Sequence, residues 1–341
     1  MGEVWQSLNV LQWMRYLTER RLIVPAAAHC PRSVAFRLGD VAAALDLAIP
    51  SRMRRLALAE ARAATGMTGW RCLLSAWRRL AEGRHELARL SRMAAGREPL
   101  EGWRIVETHG ERVHAMMGAG TPFVMTTGHF PSSAIDIVQA LLNRPAAFVA
   151  GEVSGSSRLP GERRRQLRDR LRDAGRNRLL RDRFSPADLW IRVPDLWGPN
   201  AHWNDAAARV SAAKQMLRVL RRPGGVVLVR IDAYWAGASG LDRPFAGMAS
   251  RRFALGAVRA ARLAQCPLVP FVAVYGRRPR TIVVEWGEPV PPPPRSDESA
   301  ETGVLDCALS QLEAAVGRHS VQYLAQMGWE RQWHPETQTW E

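Results

Sequence analysis

Lysine is almost absent from this chain: of its 48 basic residues, 47 are Arg and only Lys214 is Lys. A preference for Arg codons accounts for Arg over Lys. It does not account for the excess over 32 acids, a formal charge of +16, which points to an anionic partner: a membrane surface, a nucleic acid or a phosphorylated ligand. Cysteine is also scarce. Cys30, Cys72, Cys266 and Cys307 form no CxxC pair and have no His at metal spacing, which excludes a disulfide-stapled scaffold. Reduced thiols, a cytoplasmic compartment and no metal site are the expectation. No run of 18 apolar residues occurs, and the opening MGEVWQSLNVLQWMRYLTERR carries acid, polar and basic residues through what would be a signal core. The chain is therefore expected neither to span a bilayer nor to be exported. Lying on a membrane surface needs only a basic amphipathic helix with aromatic anchors, and that remains open. No RNP motif, zinc-finger spacing or helix-turn-helix signature accompanies the charge, so charge alone supports only nonspecific nucleic-acid binding.

What is present is enough for a real core: 341 residues, 47% hydrophobic and 23% charged, which excludes global disorder. Residues 1–110 read as a helical region, with Leu, Ala, Met and Trp at three- and four-residue spacing and Arg between them. Packing against a later domain is one reading of these helices. Membrane contact is the other, favoured by Trp5, Trp13, Trp70 and Trp77 beside Arg.

From about residue 120, short apolar runs alternate with helical segments. PFVMTT, AAFVA, GVVLVRI, PLVPFVAVY and TIVVEW read as buried strands. DAAARVSAAKQMLRVLRR and RRFALGAVRAARLAQ lie between them as helices, the first stopped by Pro223, Gly224 and Gly225. The expected fold class is α/β: a layered mixed sheet flanked by helices, with a helical N-terminal region and a C-terminal helix. Residues 111–290 form its core, with a Trp/Arg-rich insert at about 158–205. Residues 291–341 hold a Pro linker, PVPPPPRSDES, and a last helix from about Glu301 to Gly328.

One stretch carries the marks of chemistry. In PFVMTTGHFPSSAIDIVQALL a strand runs to Thr127, Gly128 allows a tight exit, His129 sits on the turn and Pro131 suits a helix start. A His at the C-terminal end of a strand, just ahead of a helix, projects into the crevice where α/β sheets hold ligands.

Here the chain resembles the lipid A biosynthesis lauroyl/myristoyl acyltransferases of the lysophospholipid acyltransferase superfamily, over roughly residues 20–340. Agreement is best at Gly128-His129-Phe130, at PGGVVLVRIDAYW with RPFAG and FALGAVRAARLAQCPLVPFVAVYG, and at RHSVQYLAQMGWERQW. The resemblance implies an acyl chain moved from an acyl-carrier-protein or CoA thioester to a hydroxyl or amine of a membrane-associated glycolipid or related acceptor. The thioester is a co-substrate, and no cofactor is implied. It implies a peripheral enzyme on the cytoplasmic face of the inner membrane, with an anionic membrane surface as partner and no nucleic acid. A catalytically inactive relative that binds acyl chains or carrier protein is the alternative.

The resemblance also implies that His129 is a general base in an HX4D or HX4E motif. Such a base works near pH 7 when a carboxylate holds its second ring nitrogen. Position 134, where that acid belongs, is Ala. Asp136 is nearest, but two further helical residues add about 3 Å of rise. Glu152, after the next strand, and Asp232, after another, are rival acids, because strand ends converge on one crevice. For Asp232 the resemblance supplies a match as well. Arg158, Arg230, Arg259 and Arg262 are candidates for binding substrate or a developing oxyanion. Arg259 and Arg262 are spaced i, i+3, as on any solvated basic helix.

Residues 158–183 hold 11 Arg against Glu162, Asp169, Asp173 and Asp182. They read either as a helix laced with ion pairs or as a surface for phosphate or lipid headgroups. Trp190, Trp197 and Trp203, with Pro186, Pro194 and Pro199, follow as an ordered flap over an acyl channel or into the bilayer, or as a packed excursion closing the sheet edge.

Overall fold

A computed structural model describes residues 10, 13–49, 52–151, 160–193, 206–232, 240–323, 333–334 and 339–340. After a helical stretch ending at His29 come three helices, α1 (Arg32–Ala48), α2 (Arg52–Thr65) and α3 (Gly69–Ala94). The core follows as β1 (Arg104–Thr108), α4 (Glu111–Gly118), β2 (Phe123–Thr127), α5 (Ser132–Leu142), β3 (Ala147–Gly151), α6 (Pro160–Leu180) and β4 (Trp190–Val193). It continues as α7 (Ala206–Leu220), β5 (Val226–Arg230), β6 (Gly240–Phe245), β7 (Met248–Ala254), α8 (Gly256–Ala264), β8 (Leu268–Tyr275), β9 (Thr281–Trp286) and α9 (Glu301–Arg318). The fold is α/β. A seven-stranded sheet in the order β1-β9-β8-β2-β5-β3-β4 is flanked by helices, and β6 and β7 form a separate hairpin.

Strands β8, β2, β5, β3 and β4 run parallel, and β9 reverses against β8 with β1 parallel to it. The central strands read as unbroken apolar runs because both faces are covered. Alternate residues serve opposite layers. Val124, Val227, Val229 and Val272 join the cluster under α7, α8 and α9, while Phe123, Met125, Leu228 and Phe271 join the one under α4 and α5. Each such side chain contributes roughly 1.5–3 kcal/mol on burial, so slipping a strand by one residue would exchange both layers at once.

Five elements go beyond the sequence pattern or shorten it: the strands β1, β4, β6 and β7 and the helix α9. β1 is an edge strand whose residues alternate between exposed and half-buried, and β4 is only four residues long; neither gives a continuous apolar run. The hairpin turns at Ala246 and Gly247, both with positive φ (52° and 79°), as a two-residue hairpin turn requires. α9 ends at Arg318, ten residues before the expected Gly328, and the chain then turns back to place Tyr323 in the interior.

The N-terminal helices pack on the core through α3, which touches α1, α2, α5 and α6. Their seams contain charge as well as apolar surface. Glu19, fully buried, receives Arg84, Arg164 and Arg168, and Asp46 receives Arg15 and Arg84. Burial alone would raise the Glu19 pKa; three guanidinium groups hold it far below the ordinary carboxylate range instead. Thus much of the Arg run on α6 faces inward and meets acids of the same chain. Arg172 pairs with Asp169 and Asp173, and Arg192 with Asp173.

Candidate active site

β2 and β5 are neighbours, paired so that Thr127 lies opposite Arg230. Ile231 N–H still donates to Thr127 O at 3.1 Å, so the register persists past the strand ends. Two residues beyond each, His129 and Asp232 therefore face one another. His129 Nδ1 lies 2.7 Å from Asp232 Oδ1, and the His129 backbone N–H donates to Asp232 Oδ2 at 2.9 Å. The chain leaves β2 towards β3 and leaves β5 towards β8, on opposite sides, which opens the crevice of an α/β sheet at this point.

Gly128 is required by close approach. A Cβ there would lie 2.8 Å from the Tyr323 ring and 3.2 Å from Asp232 Oδ2. On the far side, Glu86 of α3 accepts from Ser133 N–H at 2.9 Å and from Ser132 Oγ–H at 3.0 Å, capping α5 from another helix. Ser133 Oγ also meets Tyr275 Oη at 2.6 Å. The turn carrying His129 is thus pinned at both ends.

Asp232 is 1% exposed and engaged on every side. Tyr323 Oη–H donates to Oδ2 at 2.6 Å; Arg251 Nη1 donates to Tyr323 Oη at 2.6 Å, and Arg251 Nη2 to the Asp232 carbonyl at 2.9 Å. Burial alone would raise the Asp232 pKa. The charges of His129 and Arg251 and the Tyr323 hydroxyl outweigh it, so the carboxylate stays ionised far below its usual range. Tyr323 is driven the other way, well above 10, chiefly by burial, and keeps its proton. His129 is lowered: burial acts first, Asp232 opposes it, and the charges of Arg230 and Arg251 add to the lowering. A neutral imidazole whose Nδ1–H is held by an ionised carboxylate presents Nε2 as the proton acceptor.

The remaining candidates fall elsewhere. Asp136 is buried against Arg176, which also donates to Gln139 Oε1 at 3.0 Å and Ala146 O at 2.7 Å. It therefore ties α5 to α6 and the sheet. Burial raises the Asp136 pKa against the opposing Arg176 charge. Ala134 is fully buried in the apolar layer between α5 and the sheet. Arg259 and Arg262 bind Glu301 at 3.1 and 2.8 Å, and Arg262 also binds Glu298 and the Arg295 carbonyl. They fasten the Pro linker to the start of α9 and do not approach His129. Arg230 reaches Phe130 O at 3.3 Å and its charge acts on His129. Glu152, Arg158, Trp5, Trp197 and Trp203 lie outside the described residues.

No family model matches the chain, and no curated protein matches it. The site stands on its own geometry. Tyr323 and Arg251 are the members that sequence reasoning missed. Tyr323 stands in RHSVQYLAQMGWERQW, a segment that carries the resemblance, which was its only signal. Arg251, one of 47 Arg, had none. Among the described residues no cluster of His, Cys, Asp and Glu forms a metal site, and no helix is long and apolar enough to cross a membrane.

Proposed function

We propose that the protein is an acyltransferase that moves a fatty acyl chain from an acyl-carrier-protein or CoA thioester to a hydroxyl or amine of a membrane-associated glycolipid or related lipid acceptor. The observation that carries this reading is the 2.7 Å His129–Asp232 contact at the C-terminal ends of adjacent central strands. His129 Nε2 takes the acceptor proton as the acceptor oxygen or nitrogen attacks the thioester carbonyl. The C–S bond then breaks, and the imidazolium returns its proton to the leaving thiolate. Asp232 fixes the tautomer and stabilises the imidazolium while remaining ionised. No cofactor enters this sequence of steps.

The acid that the resemblance expects at position 134 is supplied in this reading by Asp232, reached through strand register. An anionic membrane surface is the proposed place of work, on the cytoplasmic face of the inner membrane. Support comes from the N-terminal helices, where Met14, Leu17, Val34, Val41, Leu45 and Trp70 are all exposed, Trp70 by 68%. Arg37 and Arg71 are exposed on the same helices, giving the mixed apolar and cationic surface that anionic lipid binds.

The test is direct. Purified protein with radiolabelled acyl donor and total membrane lipid should produce a labelled lipid, lost in His129→Ala. Failure with every donor, with carrier-protein binding retained, would replace this reading by a non-catalytic acyl or carrier binder.

A further inference from the structure

Glu60 of α2 is 1% exposed, yet neither of its carboxylate oxygens has a hydrogen bond among the described residues. Ala57 and Ala61, on either side of it, belong to the apolar seam of α1, α2 and α3. Enclosing an acid there without hydrogen bonds costs free energy that an apolar residue would not. The cations near Glu60 are the two that hold Tyr323. Arg79 of α3, itself 1% exposed, approaches Glu60 Oε2 at 3.9 Å, too far for a hydrogen bond, and donates to Glu60 O and Tyr323 O, both at 3.4 Å. Arg251 of β7 donates to Tyr323 Oη and to the Asp232 carbonyl, and its charge bears on Glu60 as well. Tyr323 in turn donates to Asp232, which holds His129. One polar chain thus runs from the N-terminal helices to the base.

We propose that Glu60 is a positioning residue for His129: its carboxylate is a countercharge to Arg251 and, with Arg79, steadies the Tyr323–Asp232 arm behind the imidazole. The charged and titratable groups facing it are few. Arg79 comes from α3, Arg251 from β7 and Tyr323 from the stretch after α9. Cys72 of α3 turns its thiol to Leu58 O instead. α1 and α9 also touch α2, and among the described residues neither brings a charge that acts on Glu60. On α2 itself the residues one turn away are Leu56, Ala57, Ala63 and Ala64.

The charge on Glu60 has a consequence at His129. Arg251 lowers the proton affinity of the imidazole. An ionised Glu60 offsets that charge and makes His129 the stronger base; a protonated Glu60 does not offset it. Burial raises Glu60 to about 7, so its proton leaves in the range where a histidine base works, and the two titrations are coupled. The coupling is reciprocal: the imidazolium formed during proton transfer favours an ionised Glu60. This deepens the acyl-transfer reading and rests on it for what the base acts on, whereas His129 titrates whether or not an acyl chain moves.

The experiment follows the His129 ring nitrogens by NMR across pH 5 to 8 in the full chain, as wild type, Glu60→Gln and Glu60→Asp. In the wild type the His129 curve should depart from that of a single group, with a second inflection where Glu60 titrates. Glu60→Gln should give a single step and a proton affinity lower by about threefold or more, and Glu60→Asp should restore part of the two-step curve. A residue that only filled space would alter stability and leave His129 unmoved. The acyl-transfer rate of Glu60→Gln should match wild type at pH 5 and fall below it at pH 8. An unchanged His129 midpoint in Glu60→Gln, or a single-group His129 curve in the wild type, would overturn the proposal. The wild-type curve decides even if the Gln variant does not fold. Coupled titration without any acyl transfer would leave the positioning role standing and remove the acyltransferase. Acyl transfer with the same His129 titration in both proteins would do the reverse.

Discussion

At the residue scale, Asp232 and Asp136 are both buried acids beside a cation, and only their partners separate them. Asp232→Asn should cost about 10²–10⁴ in acyl-transfer rate through loss of the imidazole's orientation, whereas Asp136→Asn should alter stability and leave the rate per folded molecule unchanged; single-turnover kinetics beside denaturant titration distinguishes them. Tyr323→Phe removes one donor from Asp232 and one acceptor from Arg251. A loss of about 1–3 kcal/mol in unfolding free energy is expected from the groups left unsatisfied, together with a slower reaction. Glu60 of α2 is 1% exposed, and neither of its carboxylate oxygens has a hydrogen bond among the described residues. Burial raises its pKa to about 7 against the charges of Arg79 and Arg251. A raised acid binds its proton more tightly in the folded state, so its favourable contribution is present at acid pH and is lost as pH rises through about 7. Thermal unfolding of the wild type should therefore decline from pH 5 to pH 8 relative to Glu60→Gln; parallel curves would contradict the assignment.

At the scale of elements, the sheet's composition was legible where burial was double-sided and illegible where it was not. PFVMTT, AAFVA, GVVLVRI, PLVPFVAVY and TIVVEW became β2, β3, β5, β8 and β9. RIVET and WIRV, on the two edges, carry too few apolar residues to stand out, and the hairpin delivering Arg251 is signalled only by its Ala246-Gly247 turn. The Arg-rich α6 shows the opposite difficulty: its composition suggests a solvated surface, yet Arg164, Arg168 and Arg176 are spent inside the molecule. Arg176 is 1% exposed and bonds to α5 and to the residues just before β3 and β4. Arg176→Met should leave Asp136 as an uncompensated buried acid and cost about 3–5 kcal/mol, read as a lower denaturation midpoint with an unchanged slope.

At the scale of the molecule, the 48 basic residues divide between interior and surface. The interior share is locked to Glu19, Asp46, Glu82, Asp136 and Asp232 and contributes little to long-range attraction. Part of the surface share, Arg37 and Arg71 among it, lies on the N-terminal helices that also expose apolar side chains. If those helices meet lipid as proposed, flotation with anionic vesicles should fall only in part as salt rises, since screening removes the charge contribution and leaves the apolar one. Val41→Glu with Leu45→Glu should release the remainder. Full release of the wild type by salt alone would reduce the contact to simple electrostatics.

The sequence by itself determined the α/β class, the central strands and the position of His129 at the end of one, because apolar runs and a Gly-His turn are local patterns. It could name Asp136, Glu152 and Asp232 as rivals without ranking them structurally. The choice of Asp232 belonged to tertiary structure: 103 residues separate it from His129, and only the pairing of β2 with β5 brings them within 2.7 Å. The same holds for the cations. Composition counts guanidinium groups, but which of them meet carboxylates, as Arg176 meets Asp136 and Arg84 meets Glu19, is fixed by contacts between distant elements.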